Sequence, residues 1–331
     1  MEYRQLGNTE VKVSALAFGA WAIGGWMWGG ADKDEALSAI HQALDLGMTS
    51  IDTAPVYGFG VSEEIVGEAL GGKQRDKIQI LTKYGLRWDT KAGQFYFESK
   101  KNDGTPVAIH RYAAKESVIN ECEQSLHRLK TDYIDLYQIH WHDATTPIAE
   151  TMEAIDILLK QGKIRAAGVC NYTAQLVAEA CNTVNICSNQ VPYSMVYRNI
   201  ETELVPYSIE NNKSIVVYSP MQRGLLTGKI TPDYKFNEGD NRPATPYYKS
   251  PNIERINAML DEMRPIAQNH RATLSQLVLN WTLQRPGITC LLVGARDAKQ
   301  VEENCKALDF ALSNSEIQTI DVLVNNLKLE I

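Results

Sequence analysis

The sequence predicts one α/β domain, residues 1–331, folded as a (β/α)8 TIM barrel with an N-terminal β-hairpin. Eight short apolar runs recur along the chain, and amphipathic stretches with helical periodicity separate them. No Pro/Gly/Ser-rich linker or shift in composition divides the 331 residues. Such repeated alternation is typical of a parallel sheet covered by helices. A count of eight favours a closed barrel over an open, doubly wound sheet.

Composition and boundary signals justify each element. The apolar runs are rich in β-branched and aliphatic residues, as expected of strands buried on both faces. Asp32 and Thr273 carry side chains that cap helix N-termini, and Gly47 and Gly162 follow the last turns of helices. The predicted strands span residues 15–19, 49–53, 78–82, 133–139, 166–169, 188–191, 214–218 and 289–293. The predicted helices span residues 32–46, 62–70, 115–129, 147–161, 174–181, 204–211 and 275–284.

Three segments lie outside this regular alternation. Residues 2–6 and 11–14 flank a turn at 7–10, which predicts a hairpin that plugs the bottom of the barrel. The stretches 84–112 and 231–252 are too long for ordinary connections. Structureless loops of this length in a compact domain are usually functional lids or binding loops.

Charge excludes several classes of partner. The chain has 33 Lys+Arg and 40 Asp+Glu, a formal net charge of −7, and its basic residues are not clustered. Nucleic acids and anionic membranes require concentrated positive charge, so neither is an expected partner. Residues 13–31 are uncharged, but their many glycines predict a buried strand and a Gly/Trp-rich loop instead of a membrane span.

Cysteine usage and the N-terminal residues point to the cytoplasm. The six cysteines are widely spaced, without C-x-x-C, so neither a disulfide framework nor a structural metal is expected. The first residues lack the layout of a signal peptide. The cysteines, expected to be reduced thiols, are Cys122, Cys170, Cys181, Cys187, Cys290 and Cys305.

Polar residues follow three successive predicted strands. Asp52 and Tyr57 follow the second, Lys83 the third and His140 the fourth. In a barrel of this kind the active site lies at the C-terminal ends of the strands, so these side chains converge on one mouth. Each alone has an ordinary structural explanation, such as a turn or a core histidine. Together they favour an active site, because burying several polar and charged side chains costs free energy and such clusters are typical of functional sites.

Three reactions fit these groups. Lys83 is placed to form a Schiff base, as in barrel aldolases. His140 and His142, with Asp52, would hold a metal, although two histidines two apart on a strand point to opposite faces. Alternatively, Tyr57 activated by Lys83 donates a proton to a carbonyl while a cofactor supplies hydride.

The glycine-rich segment 58–63 is not a dinucleotide fingerprint. It supplies two glycines of G-x-G-x-x-G, but Glu63 occupies the third position and a Pro-containing loop separates it from its strand. We expect it to let the backbone turn near the site before the second helix, with Ser62 as the helix cap.

Six segments resemble the signature sequences of the aldo-keto reductases. They appear in the family's order, cover nearly the whole chain, and lie at residues 52–58, 81–83, 132–141, 168–172, 218–229 and 294–304. The sequence Tyr-Gly-Phe-Gly-x-Ser-Glu is most similar to the bacterial stress-type, NADPH-dependent branch. Two positions differ from the family pattern: Cys170 stands where Ser is usual, and His142 where Pro is usual.

The resemblance implies an NADP(H)-dependent enzyme that reduces aldehydes and ketones. It implies a catalytic tetrad in which Tyr57 donates the proton, Lys83 stabilises the Tyr57 anion, Asp52 holds Lys83, and His140 orients the carbonyl oxygen. The cofactor would bind extended, without a Rossmann fold. Its small-molecule carbonyl substrate would be the only partner, and the protein would be a monomer or weak oligomer without a metal.

The resemblance also implies a cofactor site and a substrate pocket. For the cofactor it indicates Cys170, Asn171, Gln190, Tyr218, Ser219, Pro220, Gln222, Arg223, Gly224, Leu225, Gly294, Arg296, Gln300, Glu303 and Asn304. With Tyr57, an apolar pocket would be walled by Trp21, Trp26, Trp28, Trp88 and Trp141. Two alternatives stay open: a cofactor-binding regulatory subunit like the channel β-subunits, and an aldolase that uses Lys83.

Overall fold

The computed structural model describes residues 1–28, 30–71, 75–236 and 240–331. The strands are β1 (Tyr3–Gln5), β2 (Lys12–Ser14), β3 (Leu16–Gly19), β4 (Ser50–Asp52), β5 (Gln79–Tyr84), β6 (Leu86–Arg87), β7 (Gln94–Lys100), β8 (Pro106–Arg111), β9 (Ile134–Ile139), β10 (Ile164–Cys170), β11 (Ile186–Pro192), β12 (Ser214–Tyr218) and β13 (Ile288–Gly294). The α-helices are α1 (Lys33–Asp45), α2 (Val61–Ala69), α3 (Lys115–Leu129), α4 (Ile148–Lys160), α5 (Ala174–Cys181), α6 (Leu204–Glu210), α7 (Asn252–Asn269), α8 (Leu274–Leu283), α9 (Ala298–Cys305) and α10 (Asn314–Asn326).

The strands β3, β4, β5, β9, β10, β11, β12 and β13 form a closed parallel barrel, in which β13 pairs with β3. Each of them overlaps one of the predicted apolar runs, so the predicted fold class is confirmed. The capping signals also act as expected. Asp32 accepts a hydrogen bond from the Glu35 backbone, and Thr273 forms a reciprocal capping box with Gln276.

The N-terminal hairpin is present and closes the lower end of the barrel. Leu6 and Val13 are fully buried and pack in one apolar cluster with residues inside the barrel, including Leu136. The Gly7 amide donates to the hydroxyl of Ser214, the first residue of β12, over 2.9 Å. The hairpin therefore covers the N-terminal ends of the strands, opposite the mouth where the polar residues lie.

The prediction of a structureless loop over residues 84–112 is wrong. Here β6, β7 and β8 form an antiparallel sheet in the order β6-β8-β7. A register shift between Phe95 and Phe97 breaks the two-residue alternation of β7, which weakens the strand signal. In the second long stretch, Arg242–Ala244 and Pro246–Tyr248 are short 3-10 turns, and residues 237–239 lie outside the described residues.

Three helices and one helix cap also differ from the prediction. Helices α7, α9 and α10 were not predicted, and α7 contains Pro265, which lowers helix propensity. Gly60, not Ser62, caps α2. The buried Ser62 hydroxyl instead donates to the Ala20 carbonyl over 2.8 Å, which ties α2 to the loop after β3.

The uncharged stretch 13–31 contains β3 and part of the loop that follows it, in agreement with the interpretation as a buried strand. None of the helices that the structure describes is long and apolar enough to cross a membrane. The six cysteines are free thiols, and four of them are buried.

The hairpin is expected to contribute measurably to stability. Leu6→Ala should lower the free energy of unfolding by about 2–5 kcal/mol, because it leaves a cavity among fully buried side chains. Urea unfolding measures this change. Val322→Ala is the control, since Val322 is 57% exposed and its truncation should cost no more than about 0.5 kcal/mol. Equal small losses in both variants would contradict the assigned role of the hairpin.

Candidate active site

A buried ion pair lies at the centre of the barrel mouth. The Lys83 ammonium, at the end of β5, is fully buried and lies 2.7 Å from Asp52 Oδ1, at the end of β4. It also donates to the Thr53 carbonyl over 2.9 Å and to the Tyr57 hydroxyl over 3.3 Å. The ammonium thus has three oxygen acceptors, which satisfies its three donor hydrogens.

Burial and the attraction between the two charges act in opposite directions on this pair. Burial raises the pKa of Asp52 above its ordinary value, but the Lys83 charge and the hydrogen bonds from Lys83 and Gln190 limit the rise. Gln190 Nε2, on β11, donates to Asp52 Oδ2 over 2.7 Å. Burial would lower the pKa of Lys83, but the charge and hydrogen bond of Asp52, together with smaller contributions from Tyr57 and Cys170, outweigh it and raise the pKa above the usual value. Lys83 therefore stays a cation at neutral pH.

Tyr57 brings a protonated hydroxyl to this cation. Burial raises the pKa of Tyr57 to about 12, although Lys83 offsets part of the rise. The loop that carries it passes close to a neighbouring segment. Gly58 has a φ of +69°, and a Cβ there would lie 2.3 Å from the Gly24 carbonyl oxygen. Glycine is therefore required next to Tyr57.

His140 and His142 have different surroundings. The His140 ring meets the Tyr57 ring edge to face, with 5.7 Å between the centroids. Burial and the Lys83 charge lower the pKa of His140 well below its ordinary value, so the ring is neutral. His142 instead packs edge-on against Tyr172. Across the described residues there is no group of three or more His, Cys, Asp or Glu side chains that could hold a metal ion.

A cavity of about 660 Å³ extends from these groups to the region after β13. Asp52, Tyr57 and His140 line it, whereas Lys83 is fully buried behind them. Most of the predicted cofactor residues line the cavity, namely Asn171, Gln190, Tyr218, Ser219, Pro220, Arg223, Gly224, Gly294, Arg296, Gln300, Glu303 and Asn304.

Three predicted cofactor residues do not contribute to this lining. Cys170 is buried in the barrel at the end of β10. Leu225 is fully buried in the hydrophobic core, and the Gln222 side chain accepts a hydrogen bond from Ser194. These three side chains support the surrounding backbone instead of facing the cavity.

Asn171 connects two walls of the cavity. Its side-chain nitrogen donates to the His140 carbonyl over 3.1 Å, and its Oδ1 accepts from the Tyr218 hydroxyl over 2.9 Å. The residue follows β10 directly and has a φ of +60°, a conformation that asparagine tolerates better than most residues. The contacts hold the His140 backbone and the Tyr218 ring in fixed relative positions.

The outer part of the cavity is rich in hydrogen-bond donors. The guanidinium groups of Arg223, Arg242 and Arg296 lie 5.5–5.7 Å from the Trp28 ring centroid. Within the described residues, Trp21 Nε1, Trp28 Nε1 and Arg223 Nε are buried without a hydrogen-bond partner. Phosphate oxygens accept hydrogen bonds and carry negative charge, so this donor set fits the phosphates of a dinucleotide.

Several residues that line the outer part of the cavity were not predicted from the sequence. Arg242 lines the cavity, pairs with Asp240 at 2.6 Å and donates to the Arg223 carbonyl over 2.9 Å. Lys229 and Lys235 also line it. The positive charge of these residues could have suggested a role in anion binding. They lie in connections without a repeating pattern, however, so the sequence does not indicate which way their side chains point.

The aromatic wall differs in part from the prediction. Trp21, Trp26, Trp28 and Trp141 line the cavity. Trp88 does not, because it packs edge-on against Phe59. The missed lining residues in this wall are Leu86, Tyr96 and Phe97.

Comparisons with known proteins identify similar chains. The model of the Aldo/keto reductase family matches residues 15–325. Aldo-keto reductase YhdN of Bacillus subtilis is 36% identical, over 98% of this chain and 94% of that protein. An NADH-specific methylglyoxal reductase of Escherichia coli is also 36% identical, over 94% of both proteins. Glycerol dehydrogenase AKR11B4 from Gluconobacter oxydans superposes with a TM-score of 0.87, at 35% identity over 98% and 95% of the two chains.

Proposed function

The chain belongs to the aldo/keto reductase family, and we propose that it is an NADPH-dependent enzyme that reduces aldehyde and ketone carbonyls to alcohols. One observation carries the proposal: Tyr57 lines the cavity, and its hydroxyl lies 3.3 Å from the buried Lys83 ammonium. We further propose a cytoplasmic protein, a monomer or weak oligomer, that acts on small carbonyl compounds.

Tyr57 supplies the proton that carbonyl reduction requires. The nicotinamide cofactor supplies hydride when bound, and the carbonyl oxygen then develops negative charge. A phenol with a pKa of about 12 is protonated at neutral pH and can donate to this oxygen. Lys83 stabilises the phenolate that forms, and Asp52 keeps Lys83 charged and in position. The neutral His140 ring, beside Tyr57, orients the carbonyl oxygen.

Residues that line the cavity would bind the different parts of the cofactor. Asn171 and Gln190 would hold the carboxamide, and the Tyr218 ring would stack on the nicotinamide. Arg223 and Arg242, which line the outer end of the cavity, would contact the phosphates. The unpartnered indole and guanidinium N–H groups support this assignment, because a phosphate would supply the acceptors they need.

The proposal favours NADPH because of Arg296. This residue lines the outer cavity, and its guanidinium presents several donors suited to a 2′-phosphate. The neighbouring Asp297 does not neutralise it, since its carboxylate accepts hydrogen bonds from the backbone and side chain of Gln300, at 2.8 and 2.6 Å. One relative is named as NADH-specific, so turnover with NADPH and NADH side by side is the deciding measurement.

The two alternatives make different predictions. A Schiff-base aldolase needs an accessible neutral amine, but Lys83 is fully buried and Asp52 raises its pKa. A regulatory subunit would bind the cofactor without steady turnover. The loss of NADPH absorbance with a panel of aldehydes tests the proposal: repeated turnovers support a reductase, and binding without turnover supports the regulatory subunit.

Tyr57→Phe should lower kcat by at least about two orders of magnitude, because it removes the proton donor and keeps the ring. The dissociation constant of NADPH, measured by fluorescence titration, should change little. If the variant keeps most of its rate, the proton must come from His140 or from water instead.

Lys83→Met should be similarly inactive, whereas Asp52→Asn should lose less activity because Asp52 acts through Lys83. Steady-state kinetics of both single variants and of the double variant measure the coupling, and circular dichroism monitors folding. The double variant should be no worse than Lys83→Met. Independent, additive losses would contradict a coupled unit.

Arg296→Ala should weaken NADPH binding by roughly 1.5–3 kcal/mol, the usual contribution of charge-assisted hydrogen bonds, and should affect NADH much less. Titration of both cofactors into both proteins measures the difference. Lys299→Ala is the matched control, since it removes an exposed positive charge from the same region outside the cavity. Equal losses for NADH and NADPH in Arg296→Ala would remove the main support for NADPH.

A further inference from the structure

A β-bulge turns two consecutive aromatic residues of β7 toward the cavity. Phe95 pairs with His110 and Phe97 pairs with Ile109, which leaves Tyr96 as an extra residue in the strand. In a regular strand, neighbouring side chains point to opposite faces. Here Tyr96 and Phe97 both line the cavity, whereas Phe95 is 53% exposed. Bulges commonly re-aim side chains beside active sites.

Neighbouring groups fix both rings in this position. The Phe97 ring stacks on Trp26, with 6.3 Å between centroids and an angle of 12°. The Trp26 indole N–H donates to the Ser99 hydroxyl of the same strand over 3.0 Å. On the other side, the Arg111 guanidinium lies 3.9 Å from the Tyr96 ring centroid. Contacts with neighbouring protein groups therefore hold the Tyr96 and Phe97 rings in place without a ligand.

The aromatic wall is continuous with the reacting groups. Trp141 follows His140 directly, and its ring lies 5.6 Å from that of Tyr96. Trp21 stacks on Tyr57 at 6.0 Å. Tyr96, Phe97 and Trp26 belong to the same apolar cluster as Tyr57. A substrate whose carbonyl meets Tyr57 would thus place its remaining atoms against aromatic surface.

The two walls of the cavity differ in charge. Apart from Asp52, the charged side chains among its described lining residues come from the segments after β12 and after β13. Those segments belong to the wall that we assign to the cofactor. None of the cavity-lining side chains in the wall formed by Leu86, Tyr96, Phe97, Trp26 and Trp141 is charged, and the Arg111 guanidinium that contacts the Tyr96 and Trp141 rings is not among the lining groups. Such a surface gains free energy by burying apolar area and offers no ion pair to a charged substrate.

We propose that the substrates are uncharged carbonyl compounds with an aryl or similarly large planar apolar group, and that Tyr96 and Phe97 determine this specificity. The inference rests on the proposed carbonyl reduction. It differs from what the names of two relatives indicate, since methylglyoxal and glycerol are small and polar. Aromatic rings prefer offset-stacked or edge-to-face partners, which a planar group supplies.

The test compares two aldehydes of similar intrinsic reactivity and one polar aldehyde. Propanal and 3-phenylpropanal share an unbranched three-carbon aldehyde chain and differ by the phenyl group on C3, and glyceraldehyde carries hydroxyl groups on the same chain instead. With NADPH, kcat/KM for 3-phenylpropanal should exceed that for propanal at least tenfold, about the discrimination that a hydrophobic pocket provides. Glyceraldehyde should be the poorest of the three. A value for 3-phenylpropanal equal to or below that for propanal overturns the proposal.

Two variants of β7 test whether Phe97 causes the preference for the phenyl compound. Phe97→Ala should reduce kcat/KM for 3-phenylpropanal about tenfold more than that for propanal. Phe95→Ala is the matched control, because Phe95 lies outside the cavity, and it should leave the ratio of the two values unchanged. If Phe97→Ala does not fold, Phe97→Leu removes the planar ring and keeps an apolar side chain. If a folded Phe97 variant keeps the wild-type ratio of the two kcat/KM values, the proposed role of this wall in substrate specificity is overturned.

A binding experiment separates this inference from the proposed function. If no aldehyde is turned over with either cofactor, the proposed function fails. The wall is then tested by calorimetric titration of 3-phenylpropanamide and propanamide, which are uncharged and are not reduced. At least tenfold tighter binding of the phenyl compound supports the proposal, and equal binding overturns it.

Discussion

An ammonium group buried inside a protein must have its charge balanced and its three donors satisfied, and this requirement organises the mouth of the barrel. Lys83 meets it with the Asp52 carboxylate, the Thr53 carbonyl and the Tyr57 hydroxyl. Asp52 in turn has a second oxygen to satisfy, and Gln190 donates to it from the far side of the barrel. Residues 52–57, β5 and β11, three separate segments of the chain, are thus held together by a single pair of charges.

The pair also decides what the neighbouring groups can do. Burial lowers the pKa of His140 and the positive charge of Lys83 lowers it further, which keeps that ring neutral; the same charge opposes the rise that burial causes in the pKa of Tyr57. The Tyr57 hydroxyl is left between a buried cation and an open cavity. A phenol in that position is protonated in the ground state, and its anion is stabilised as soon as the proton leaves.

The sequence was sufficient for the features that follow from periodicity. The eight barrel strands could be predicted because each is a short apolar run, and Asp52, Lys83 and His140 because they stand at the ends of such runs. The contact between Gln190 and Asp52 could not be predicted from the residues alone. It joins positions 138 residues apart, and only the closure of the barrel brings them together.

Other features were missed because they interrupt a pattern. The bulge at Tyr96 adds a residue to β7, so the alternation that would reveal the strand is lost at the point where the strand contributes to the cavity. Arg242 begins a short 3-10 turn in the connection between β12 and α7, and its direction depends on its pairing with Asp240. Irregular backbone is difficult to predict because no repeating spacing identifies which side chains it turns inward.

These irregular segments give the cavity its two chemically different walls. The connections after β12 and β13 contribute arginines and lysines, whereas the sheet of β6, β7 and β8 contributes aromatic and aliphatic surface. The barrel itself supplies the ion pair between them. Under the proposed function, the charged cofactor would bind at the first wall and the apolar substrate at the second, and both would reach Tyr57. Apolar surface on the substrate side also reduces the water around the carbonyl, and electrostatic interactions are stronger where water is excluded.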